Sequence, residues 1–285
     1  MVRSSKIGAA FLVTVAAGWA LAPAVAERRM NKVTNRSIPV TDRALAIHRA
    51  LFVADLHADT TLWNRDLLSR GARGHVDVPR LIEGGVALQA FTIVTQTPRS
   101  MNIERNTAET DNITLLAIAA LWPPRTWNNL TQRALYEASL VTDAAARSHA
   151  GLSVLRTAAD LAAFETRRTT DKKAVAALIG VEGAQALSGD LANLDPLFDA
   201  GVRMMAPTHF FDTEIGGSAH GVSRAGLTPL GRKWVKRMEA KKMVIDLAHA
   251  SAATIADERL AGAVEQLERI LGPSPDGIDR AVELL

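Results

Sequence analysis

Five stretches of the chain are apolar for most of their length: LFVADLH (51–57), VALQAFTIV (86–94), AVAALIGVEG (174–183), VRMMAPTHF (202–210) and MVIDLAHAS (243–251). Apolar runs this short, bounded by glycine, proline and charged residues, read as strands buried on both faces. The segments between them read as helices. TDRALAIHRA is weakly helical, and DVPRLIEGG starts at Pro79 and stops at Gly84-Gly85. Residues 102–167 are expected to be helical apart from a break at Pro123-Pro124, and LANLDPLFDAG is closed by Gly201. In LTPLGRKWVKRMEAKK, Thr228 is the cap and Pro229 lies in the first turn, with Leu230, Trp234 and Met238 on one face. Strands alternating with helices predict an α/β fold with a parallel sheet, of the TIM-barrel-like (β/α)8 kind.

Both ends of the chain differ from this middle. Arg3 and Lys6 precede the apolar IGAAFLVTVAAGWALAPAVA, and Ala24-Val25-Ala26 offers a small-x-small cleavage site before Glu27. Residues 1–26 are therefore expected to be a signal peptide or an uncleaved N-terminal anchor, with 27–50 as a polar lead-in. The body would be exported, to a periplasmic or extracellular space, and would touch a membrane only through that anchor. At the other end, Ile255, Leu260, Val264, Leu267 and Leu271 trace an apolar stripe before GPSPDG and a last short helix, IDRAVELL, so 252–285 reads as a helical tail.

Charge and cysteine content narrow the picture further. The 33 basic residues are scattered among 30 acidic ones, without a long stripe or interleaved aromatics, which argues against a nucleic-acid partner. Cysteine is absent, so disulfides add nothing to stability.

Four of the five predicted strands end on metal-binding side chains: His57 and Asp59, Glu182, His209, and His249. Each has an ordinary reading. His-x-Asp is commonly a hydrogen-bonded pair, Glu182 before Gly183 can serve a turn, and His209 or His249 can be a satisfied core histidine. Their placement argues otherwise, because in a parallel barrel the carboxyl ends of the strands converge on one rim where ligands collect. Four strands bringing nitrogen or oxygen donors to that rim point to a metal hydrolase.

ADLHADT, HVDVPRLIEGGVALQAF, IGVEGAQAL, GVRMMAPTHF, GLTPLGRKWVKRM and MVIDLAHAS, in this order, resemble successive motifs of the membrane dipeptidase (renal dipeptidase-like) family, two-zinc peptidases on a metal-dependent hydrolase barrel. The resemblance covers residues 51–251 and implies a zinc-dependent dipeptidase acting on dipeptides with a metal-activated water. It implies that His57 and Asp59 bind the first of two Zn2+ ions, that Glu182 bridges both, and that His249 binds the second. His209 would contact the substrate and stabilise charge developing on the scissile carbonyl.

The resemblance fades after Ser251. The family's second zinc takes a further histidine from the next strand, and no histidine follows His249 here. Arg259, Arg269, Asp276 and Asp279 lie outside any matching motif, and His220 in GGSAHGVSRAG, the alternative being a substitute ligand, reads as a solvated loop residue. The expectation is an incomplete barrel of about five β/α units whose open edge favours a homo-oligomer or poor solubility. The alternative to an active dipeptidase is a truncated, non-catalytic homologue binding one zinc or none. An amidohydrolase of cyclic amides fits PTHFF less well.

Overall fold

In a computed structural model of the chain, which describes residues 18, 21–33, 38–63 and 65–257, the apolar runs pair as a six-stranded, all-parallel sheet. The strands are β1 (Val53–Asp55), β2 (Val86–Ile93), β3 (Leu152–Val154), β4 (Val175–Val181), β5 (Val202–Met205) and β6 (Val244–Ile245), in the order β1-β2-β4-β5-β6. Most of the leader and the tail beyond 257, including Leu260, Val264, Leu267 and Leu271, lie outside the described residues. No helix among the described residues is long and apolar enough to cross a membrane.

The sheet is half of a barrel wall. β4 pairs along most of its length with β2, from Leu88↔Ala176 to Ile93↔Val181. Its other side is shared: β3 lies against Val175–Ala177 and β5 against Ile179–Val181. β3 corrects the sequence reading, which placed 102–167 in helix and counted five strands. The segment holds helices Asn112–Ala119, Leu130–Arg147 and Ala158–Thr170, with β3 between the last two.

β1 departs from expectation as well. Leu51, Phe52 and Leu56 are exposed, Phe52 by 47%. β1 pairs with β2 alone among the described residues, and in a closed barrel its free side would be covered by another strand.

The two faces of the sheet differ. Phe91, Ile93, Ala177, Ile179 and Val181 pack with Ala134, Ala138 and Val141 of the 130–147 helix and with Trp234 and Met238 of helix Pro229–Ala240 in the main core. The opposite face carries Thr92 and Glu182, which share the parity of Leu88 and Ala176 and emerge near the top of their strands. Helix 229–240 starts as its sequence dictates, Thr228 Oγ1 accepting the Gly231 N–H at 3.0 Å. Gly231 sits so close to the preceding loop that an added Cβ would lie 2.0 Å from the Ile215 carbonyl oxygen.

Candidate metal centre

The sheet's hydrogen bonding continues one step past its strands, and this step positions the centre. Thr92 N–H donates to the Ala58 carbonyl, Glu182 N–H to Ile93, Ala206 N–H to Val181 and Asp246 N–H to Met205, at 2.9–3.1 Å. The residues before His209, around Glu182 and between His57 and Asp59 are thereby held as extensions of the ladder.

At this rim the five sequence candidates come together. Glu182, 3% exposed, is the hub: its Oε1 lies 3.0 Å from His249 Nε2 and 3.6 Å from His57 Nε2, and its Oε2 lies 3.3 Å from His209 Nε2. His57 Nε2 is 3.2 Å from Asp59 Oδ1. The donor atoms form two triads that share Glu182, one with His57 and Asp59 and one with His209 and His249, each set lying within 4.8 Å of one another.

Local backbone supports this. Gly183 (φ +96°) turns the chain directly after Glu182, where a Cβ would collide with the Gln185 side-chain amide that donates to the Glu182 carbonyl at 3.1 Å. His249 itself has φ +65°, a conformation L-residues seldom adopt. Its carbonyl accepts both Ala219 N–H (2.8 Å) and Thr208 Oγ1–H (3.1 Å), which hold it there.

The electrostatics follow from the packing. The hydrogen bond to Asp59 raises the His57 pKa to about 9, against burial, with Glu182 adding to the rise. Burial opposes ionisation of Asp59, but hydrogen bonds from His57 and Thr92 outweigh it and hold the carboxyl below its ordinary value. Burial lowers His209 to about 4, leaving it neutral at physiological pH.

Two side chains that sequence reasoning passed over, and one that it read as solvated, belong here. Thr92 Oγ1 donates to Asp59 Oδ1 at 2.5 Å. Asp246, at the end of β6, is buried and its pKa is raised by that burial, with Glu182 adding to the rise. The visible signal was an acid inside the apolar run MVIDLAH. His220 is not a free loop residue: its ring packs 5.2 Å from that of His249 and 5.1 Å from that of Phe210, centroid to centroid.

The donor set fits a transition-metal ion. Imidazole nitrogens and carboxylate oxygens are the ordinary ligands of zinc. Among the described residues, no lysine or arginine pairs with Asp59 or Glu182, whose ion-pair partners are imidazoles. Among the described residues, Nδ1 of His249 is buried without a hydrogen-bond partner. A cation between the triads would meet the acidity that His57 by itself does not offset.

A parallel β/α half-barrel with such donors at the carboxyl ends of its strands has the architecture of the metal-dependent hydrolases. The chain belongs to the membrane dipeptidase family (peptidase family M19), which it matches over residues 41–259. Mouse dipeptidase 3 is 40% identical over 83 residues, 27% of this chain and 17% of that protein. A metallopeptidase from Rhodobacter sphaeroides, solved with a phosphinate mimic of the dipeptide L-Ala-D-Ala, superposes with a TM-score of 0.55 at 22% identity, over 77% of this chain and 62% of that one. The probable dipeptidase PvdM from Pseudomonas aeruginosa gives 0.55 at 17% identity, over 80% and 52%. The chain therefore spans less than two thirds of the length of these relatives, and the structural likeness is one of fold.

Proposed function

We propose that this chain is a zinc-dependent dipeptidase, and the observation that carries the reading is the carboxylate of Glu182 shared between two triads of donors. His57, Asp59 and Glu182 hold one ion, and Glu182 and His249 hold the second. Zinc, when bound, supplies Lewis acidity toward the peptide carbonyl and a water made nucleophilic at neutral pH. The protein's own groups do the rest. Thr92 fixes the Asp59 carboxylate, and Glu182, buried and shared, sets the spacing of the two halves. His209, neutral and buried beside Glu182, faces the scissile carbonyl as a hydrogen-bond donor, stabilising charge as it develops there. The substrate is a dipeptide. Export through residues 1–26 and self-association along the exposed flank of β1 complete the reading.

The test is elemental mass spectrometry of the zinc-reconstituted full chain, followed by hydrolysis of a dipeptide panel. Two zinc ions per chain with turnover are expected. One ion or none, without turnover, would replace the enzyme with a metal-binding or inert homologue.

A further inference from the structure

His220 reaches the centre from the loop between β5 and helix 229–240, and it is fixed in place from several directions. Its Nδ1 lies 2.9 Å from the Ile103 carbonyl oxygen. Its own carbonyl accepts both the backbone N–H (2.8 Å) and the side-chain amide (3.1 Å) of Asn106, and its N–H donates to Ser218 Oγ at 3.1 Å. The neighbouring Ala219 N–H is the group that holds the His249 carbonyl. Two loops, one following β2 and one following β5, thus clamp a half-exposed imidazole against Phe210 and His249.

The clamp also decides the tautomer. A carbonyl oxygen can only accept, so the Ile103 contact places the proton on Nδ1. Nε2 of the neutral ring is then a hydrogen-bond acceptor, and it has no hydrogen-bond partner among the described residues. An acceptor at this point does not suit a carboxylate, which also only accepts. It suits an N–H group. In an α-aminoacyl substrate the ammonium nitrogen stands two bonds from the carbonyl carbon that reacts, so its partner must sit beside the ligands themselves. His220, in ring contact with His249, occupies such a place. His220 does not join the sets of closely grouped donor atoms, which separates it from the ligands.

We propose that His220 is a substrate-binding residue whose Nε2 accepts a hydrogen bond from the protonated α-amino group of the substrate, making the centre selective for unblocked N-termini. This rests on the dipeptidase reading above. Pre-fixed by its clamp, the imidazole loses little freedom on binding.

The experiment is calorimetric titration of the zinc-loaded full chain with a phosphinate mimic of Ala-Ala and with its N-acetyl derivative, alongside zinc content, for wild type, His220→Ala and His220→Gln. The wild type is expected to favour the free amine by about tenfold or more, the scale of a hydrogen bond to a charged group. His220→Ala should lose this preference at unchanged zinc content, and His220→Gln, whose amide oxygen can accept in place of Nε2, should recover part of it. An unchanged preference in His220→Ala overturns the proposal and leaves the dipeptidase reading standing. Zinc loss in His220→Ala also overturns it, by making His220 a ligand. Wild type that binds neither mimic overturns both.

Discussion

Replacing Thr92 with valine tests whether the centre is built to hold a metal. The side chain is 1% exposed and its hydroxyl donates to Asp59 Oδ1 at 2.5 Å. Valine keeps the shape and removes only the donor. A hydrogen bond to a charged group contributes about 1.5–3 kcal/mol, and loss of a partner that orients a metal ligand lowers affinity by about ten- to a hundredfold. The two scales agree. The pH trend has a definite sign as well. Thr92 helps hold the Asp59 carboxyl below its ordinary value, so its loss lets that value rise and lets protons compete better with the metal. The deficit should therefore widen as the pH falls. Competition against a zinc-binding dye across a pH series measures both effects, with thermal melting of the metal-free proteins as a check on folding. A Thr92→Val protein that folds normally and binds zinc as the wild type does would refute the assignment of Asp59 as a ligand.

Three further outcomes follow from other contacts. His209→Ala should retain both zinc ions and lose turnover; elemental analysis showing a missing ion would make His209 a ligand instead. Glu137 is fully buried, with Oε2 accepting from Thr61 Oγ1 at 2.8 Å, and burial raises its carboxyl well above the ordinary value of 4.5. The folded state keeps this proton while the unfolded state releases it, so the group's contribution to stability falls as pH rises above 4.5 toward the folded value. Urea titrations should show wild type losing stability relative to Glu137→Gln over that range; a parallel or opposite trend would contradict the sign. Gly231→Ala drives a methyl into the Ile215 carbonyl and should cost about 1–3 kcal/mol in chemical denaturation.

The sequence made the candidate site residues readable because each lies at the end of an apolar run, and chain direction in a parallel sheet sends every such end to the same rim. His57, Asp59, Glu182, His209 and His249 were legible for that reason. β3 was not: three residues flanked by long helices carry too little periodicity to stand out. Thr92 and Asp246 were hidden differently. A threonine in VALQAFTIV is an ordinary strand residue, and its role depends on Asp59, a neighbour that only the pairing of β1 with β2 supplies. His220 was misread because a loop histidine shows nothing in one dimension of the Ile103 and Asn106 contacts that fix it. The burial expected for LFVADLH failed at Leu51, Phe52 and Leu56, because an apolar run reveals a strand but not whether that strand lies at an edge.

The reach of the donor set along the chain has a consequence for how the molecule is held together. Among the described residues His57 follows the first strand and His249 the last, so two ions sharing the Glu182 carboxylate would tie the two ends of the sheet to each other through its middle. In a sequence without cysteine, the bound ions would take the part a disulfide plays elsewhere, closing a very long loop, and their binding energy would become folding energy. Chelation would then act as a denaturant, and zinc uptake would report whether β6 has docked at the far edge of the sheet.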